Sequence, residues 1–224
     1  MIIRFNYFHL LVFLCLGVSC LGQSNLRLGL SSNLNFNKKI TENEKLNLKI
    51  ESRQNTFDEG RFNLEYSQTQ ISLFGSTGVS YRSSLAIGYS YTIRGGADSH
   101  MTAQQLAITN TYGTFRVGHR FSSDQSFGGD RTTRVRARYR ISCQLPLKGQ
   151  IVNVKEFYIK LNNEYLNSFT SSAHDLEVRV AGNLGFEFHD NNKLELGVDY
   201  RINSFIGDQI QHRSWTRLNW FIAL

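Results

Sequence analysis

Hydrophobic and polar residues alternate along most of this chain, most regularly between Arg131 and Leu147. Because successive side chains of a β-strand point to opposite faces, this stretch is predicted to be one strand with a cationic face and an apolar face. The cationic face carries four residues, here called the arginine ladder: Arg134, Arg136, Arg138 and Arg140. The apolar face carries Val135, Ala137, Tyr139, Ile141, Cys143 and Leu145.

The same alternation recurs in about eleven segments, and no stretch has a long helical period. The third segment changes phase before Leu73, which indicates either a β-bulge or a misplaced turn. Loops are predicted where the alternation stops: at 54–60, in a tight connection at 75–78, and at 122–130. Bacterial single-chain barrels have even strand numbers, so ten or twelve strands are expected if the sheet closes.

Two settings fit such strands. In a soluble β-sandwich, the apolar faces would pack together and the arginines would face water. In an antiparallel up-and-down transmembrane β-barrel, the apolar faces would contact lipid and the charged faces would line a polar interior. We favour the barrel, because many segments reach the roughly 9 to 11 residues that a tilted membrane strand needs. Its alternation also explains how a membrane protein can have negative mean hydropathy.

The first 22 residues have the features of an export signal, namely Arg4, an apolar run from Leu10 to Val18 and small residues ending at Gly22. We therefore expect a cleaved signal peptide over 1–22 and one barrel domain over 23–224. Cleavage removes two of the three cysteines, so Cys143 is expected to be a lone buried or lipid-facing thiol. Export of a barrel predicts the outer membrane as its location.

The predicted strands carry two further membrane features. Tyrosines bound the apolar stripe of the segment from Val79 to Ile93, as in the aromatic girdle of membrane barrels. The last apolar stripe resembles the C-terminal signal by which outer-membrane barrels are recognised, so a contact with the barrel-assembly machinery is expected. Its members are Leu218, Trp220, Ile222 and Leu224.

Several short motifs resemble the domain-of-unknown-function family 2490 over most of the mature chain. They are His119-Arg120-Phe121 with Asp124-Gln125, the motif Arg134, Arg136, Arg138-Tyr139, then Asn163-Glu164-Tyr165, then Gly197-Val198-Asp199-Tyr200, and His212 in the last strand. Family members often have glutamate at the position of Asp124. The resemblance implies an outer-membrane β-barrel of Gram-negative bacteria, and it supplies neither an activity nor a catalytic residue.

The arginine ladder is the main candidate for function. Rings of arginine favour anions, so an inward ladder would suit the passage of small anionic solutes. Alternatively, the interior is filled and the ladder has a structural role, paired with inward carboxylates. The possible carboxylate partners in the lumen are Glu164, Glu177, Glu187, Glu195 and Asp199.

The net charge of +7 suggests acidic partners, and lipopolysaccharide phosphates are the nearest ones for an outer-membrane protein. We recognise no nucleic-acid module, metal-site motif or cofactor motif. An outer-membrane lipid enzyme remains an alternative, because His119 with Ser122 and Asp124 would supply a base, a nucleophile and a carboxylate. A second such grouping combines His174 with Ser171, Ser172 and Asp175. No catalytic residue is assigned from these groupings.

Overall fold

A computed structural model describes residues 26–58, 60–128, 133–171, 173–207 and 209–224. The predicted signal peptide over 1–22 lies outside the described residues. Within these ranges, no helix is long and apolar enough to cross a membrane.

The described elements are eleven β-strands. They are β1 (Leu26–Lys39), β2 (Glu44–Asp58), β3 (Arg61–Ser80), β4 (Ser83–Ile93), β5 (Ser99–Tyr112), β6 (Phe115–Phe127), β7 (Arg134–Pro146), β8 (Glu156–Phe169), β9 (His174–His189), β10 (Asn192–Asn203) and β11 (Gln211–Ala223). The all-β prediction is therefore confirmed.

The strands form one closed barrel in which consecutive strands pair antiparallel and β1 pairs with β11 in parallel. The eleven described strands confirm the predicted barrel of about 10 to 12 strands, although the number is odd where an even number was expected. Each hairpin reverses the chain direction, so an odd number of strands gives the first and last strands the same direction. Closure then requires one parallel pair. This architecture excludes the alternative of a two-sheet sandwich.

Three predicted loops lie inside strands instead. Residues 54–58 continue β2, residues 75–78 belong to β3, and β6 runs on to Phe127. The predicted phase change in β3 is confirmed, because its pairing with β2 shifts register between Arg53 and Gln54. A bulge of this kind moves the following side chains to the other face.

The outer wall of the barrel is apolar. Large hydrophobic side chains that face outward include Ile87, Leu161 and Leu196, which are 67%, 57% and 57% exposed. Exposed aromatic residues lie near both rims of the wall. The rim at which β11 ends, here the C-terminal rim, carries Tyr112, Phe115 and Phe157, and the opposite rim, here the N-terminal rim, carries Tyr66, Phe127 and Phe169.

Candidate functional site: the charged lumen

The lumen contains the charged faces of the strands. Arg134, Arg136, Arg138 and Arg140 all lie on the inner face of β7, while Val135 and Ile141 are exposed on its outer face. The structure thus places the whole arginine ladder inside the barrel. Other charged side chains line the same interior, and several are almost fully buried: Glu51, Asp124, Glu164, Glu187, Glu195, Asp199 and Arg201.

Asp124 on β6 is the main partner of the ladder. Its side chain has no solvent exposure. One carboxylate oxygen accepts a hydrogen bond from Arg136 Nε at 2.5 Å, and the other accepts one from Arg138 Nε at 2.7 Å. Arg136 also contacts the Met101 sulfur. Charge-assisted hydrogen bonds of this kind hold both guanidinium groups in fixed positions.

Glu164 on β8 joins the ladder to β9. It accepts hydrogen bonds from Arg140 Nε at 2.6 Å and from Arg179 Nη1 at 2.9 Å. Arg179 in turn donates to Glu177 at 2.7 Å. These residues form a continuous ionic chain across β7, β8 and β9, because all of them lie on inward positions of adjacent strands.

The other predicted carboxylate partners pair with cations outside the ladder. Glu177 bonds Arg179, and Glu187 bonds Lys193 at 2.9 Å. Glu195 accepts from Lys160 at 3.2 Å and from the Tyr158 hydroxyl at 2.9 Å. Asp199 bonds Arg201 and Arg217 at 2.9 and 3.0 Å. The expected pairing with the ladder is therefore corrected for these four residues. They lie on β9 and β10, and the cations that they contact lie on β8, β9, β10 and β11, not on β7.

A further cluster lies on β2 and β11. Glu51 pairs with Lys49 and with Arg53, the latter at 2.5 Å. The Trp215 ring lies inside the barrel, with the guanidinium carbons of Arg53 and Arg201 at 5.4 and 5.9 Å from its centroid. Cation–π contacts of this geometry help to fix arginines in place. None of these β2 and β11 residues was predicted as part of the site.

The lumen contains a cavity that reaches the C-terminal rim and a cluster of buried side chains nearer the N-terminal rim. A cavity of about 690 Å³ is lined by residues that include Asn37, Asn47 and Gln144, which lie close to the strand ends at the C-terminal rim. Toward the N-terminal rim, the interior holds the buried side chains of Asp124 and Leu166. We call the side chains of Asp124, Arg136, Arg138, Leu166 and Trp215 the plug.

The cavity is strongly cationic. Ten lysine and arginine residues line it, against four carboxylates. The cations are Lys49, Arg53, Arg116, Arg120, Arg138, Arg140, Lys160, Arg179, Arg201 and Arg217, and the carboxylates are Glu51, Glu164, Glu195 and Asp199. A surplus of one sign in a concave, low-dielectric space attracts ions of the other sign.

Within the described ranges, neither histidine grouping brings its histidine and carboxylate together. His119 faces outward and contacts the Tyr139 hydroxyl at 2.9 Å, whereas Asp124 is buried inside the barrel. His174 bonds Asn167 and stacks on Phe169, while the adjacent Asp175 must point to the opposite face. Ser172 lies outside the described residues. Among the described residues, no cluster of three or more His, Cys, Asp and Glu side chains has the geometry to hold a metal ion.

Asp124 was missed as a ladder partner because the sequence placed it in a loop. Its spacing provided a usable signal. Arg116, Arg120 and Asp124 are separated by four residues each, so an uninterrupted strand puts all three on one face. A β6 strand of 13 residues meets that condition.

Comparison with known proteins places the chain in one family and identifies no relative of known function. No curated protein matches the chain. No solved structure matches it either. The sequence profile of a family described as "Protein of unknown function (DUF2490)" matches residues 29–220. The chain therefore belongs to the DUF2490 family of proteins of unknown function.

Proposed function

We propose that this protein is an outer-membrane β-barrel that admits small anions into its cationic lumen. The observation that carries the proposal is the imbalance of ten cations against four carboxylates around the cavity. The proposal has two parts, the membrane location and the anion preference, and each has its own support.

The membrane location is supported by the separation of apolar and charged residues. The outer wall exposes residues such as Leu184 and Val198, while the charged residues of the same strands face inward. Reversing this arrangement would cost roughly 2 to 4 kcal/mol for each mid-plane arginine or lysine exposed to lipid. Aromatic residues near both rims fit the two interfaces of a bilayer. The strands have 11 to 20 residues, enough to span the apolar core when tilted.

Membrane location implies two kinds of partner. The outer wall would contact lipid and lipopolysaccharide, whose phosphates suit the basic charge of the protein. The last strand would be recognised by the barrel-assembly machinery through its outward stripe, in which Leu218 and Trp220 are exposed. The signal peptide would deliver the chain to that machinery.

The anion preference follows from the lumen. Anions reach the cavity from the C-terminal rim. The guanidinium groups that they meet there carry more positive charge than the carboxylates of the cavity neutralise. The plug lies between the cavity and the N-terminal rim, so passage through the barrel requires the plug to move. The protein is thus expected to conduct weakly in its resting state and more strongly when the plug is weakened.

The test is ion conductance of the purified protein in a planar lipid bilayer. Under a KCl gradient, the reversal potential should have the sign of chloride selectivity. Arg116→Glu together with Arg120→Glu should shift it toward potassium, and Lys148→Glu, in the exposed β7–β8 loop, is the matched charge control. Cation selectivity of the wild-type channel would overturn the anion preference. Release of the protein from carbonate-washed membranes would overturn the membrane location.

A further inference from the structure

Two arginines that line the cavity, Arg116 and Arg120, form no ion pair with any described residue. Arg116 and Arg120 lie on inward positions of β6, line the cavity and are exposed to it. In the part of the chain that the structure describes, neither guanidinium forms an ion pair or a side-chain hydrogen bond. The other arginines at the base of the cavity, such as Arg138 and Arg140, are bound to carboxylates. Arg116 and Arg120 are therefore available to a ligand.

The residue between these arginines on the same face is glycine. A Cβ atom at Gly118 would lie 2.8 Å from Ser142 Oγ and 4.0 Å from Thr109 Oγ1. The register places Thr109 on β5 and Ser142 on β7 directly beside Gly118. The absence of a side chain therefore leaves a recess in the lumen wall. The Ser142 hydroxyl enters it from one side and donates to the Gly118 carbonyl at 3.2 Å, and the Thr109 hydroxyl lies on the other side.

The surroundings of the recess compensate its positive charge only in part. Arg120 lies directly opposite Arg140 in the β6–β7 pairing, and Arg116 lies opposite the neutral Gln144. Arg120 interacts electrostatically with the Glu164 carboxylate. That carboxylate already accepts hydrogen bonds from Arg140 and Arg179.

We infer that the Gly118 recess is a binding site for a soluble oxyanion of the phosphate class, such as inorganic phosphate or a small phosphate ester. Arg116 and Arg120 are about 13 Å apart along the strand, so their long side chains can approach the recess from both ends. Guanidinium groups bind phosphate oxygens in a bidentate fashion. The Thr109 hydroxyl can rotate to donate to a remaining oxygen, and the Ser142 hydroxyl can do so by exchanging its hydrogen bond to the Gly118 carbonyl for one to the ligand.

The site selects oxyanions over chloride. Chloride makes no bidentate contact with a guanidinium and can use few of the four donors, whereas a tetrahedral oxyanion can accept from all of them. The ligand is expected to come from solution, because the barrel wall separates the recess from lipid. This inference rests on the proposed function only in that the cavity is open to soluble anions.

Binding can be measured apart from conductance. Protein folded in a maltoside detergent, which contains no phosphate, would be titrated with inorganic phosphate by isothermal calorimetry. Arg116→Gln with Arg120→Gln should weaken binding by about tenfold or more, since charge-assisted hydrogen bonds are lost. Gly118→Val should have a similar effect by filling the recess. Lys148→Gln is the matched control and should bind as the wild type does. Heat-dependent gel mobility would verify that each variant is folded.

The possible results separate this inference from the proposed function. Phosphate binding that the double variant loses supports the site, even if the barrel carries no current. The phosphate site would be overturned if the folded double variant bound phosphate with wild-type affinity. It would also be overturned if chloride competed at concentrations similar to those of phosphate. Neither result would contradict anion conductance. Binding of a short-chain phosphatidic acid without binding of inorganic phosphate would overturn the soluble source of the ligand.

Discussion

Asp124→Asn tests whether ionic pairing holds the plug in place. The Asp124 carboxylate has no solvent exposure, and the Arg136 and Arg138 side chains that bind it are 16% and 20% exposed. The substitution keeps the size of the side chain but removes the charge that both guanidinium groups share. Loss of one partner of a buried ion pair costs ~3–5 kcal/mol. Because the arginines retain some contact with water, we expect the free energy of unfolding to fall by about 3 kcal/mol.

The assay is reversible urea unfolding in lipid vesicles, followed by tryptophan fluorescence and by the mobility of unheated protein on a gel. Asp190→Asn, in the exposed turn between β9 and β10, is the control and should change stability by less than ~0.5 kcal/mol. Adding Arg138→Met to Asp124→Asn restores the local charge balance and should recover part of the loss. A fall below ~1 kcal/mol for Asp124→Asn, with an unchanged denaturant slope, would refute ionic pairing as the main support of the plug.

Three other predictions concern separate parts of the barrel. Glu164→Arg should hinder folding, because it replaces the carboxylate that binds Arg140 and Arg179 with a third cation. Unchanged heat resistance of the folded barrel would contradict the pairing of Glu164 with these arginines. Gly185→Ala should lower stability by ~1–3 kcal/mol, since the added Cβ would lie 2.2 Å from the buried Tyr158 ring, and urea unfolding measures this loss. Cys143, on the outer face of β7, should resist a membrane-impermeant maleimide in vesicles and react in detergent; rapid labelling in vesicles would place it in water.

The strands were predictable where one face is apolar and the other is charged, as in β7, β9 and β10. Prediction failed where polar residues occupy both faces. In β6, Ser123 and Gln125 point outward between the inward positions of Ser122, Asp124 and Ser126. Gln125 is satisfied there by a hydrogen bond from Thr102 on β5. Because this hydrogen bond comes from a neighbouring strand, it cannot be predicted from the pattern of residues within β6.

The alternation along β7 was enough to predict that the arginine ladder points into the barrel, but it did not predict which carboxylates the ladder contacts. A carboxylate and an arginine pair according to the register between strands and the tilt of the barrel, and neither quantity can be derived from one strand alone. Glu164 contacts Arg140 because the register places them side by side. Asp199 has the same inward phase, yet Arg201 and Arg217 are its neighbours. Phase therefore predicts which residues share the lumen and which can pair two positions apart on one strand, such as Asp199 with Arg201, and register decides the pairs between strands, such as Glu164 with Arg140.

The parallel pairing of β1 with β11 has a consequence for topology. The start of β1 and the end of β11 lie at opposite rims of the barrel. In a barrel with an even number of hairpin-connected strands, both ends would lie at the same rim. If this barrel spans a membrane, Leu26 and Ala223 face different compartments, so epitopes placed next to them would be accessible from opposite sides. If strands insert as hairpin pairs, eleven strands leave one that must cross the bilayer outside such a pair.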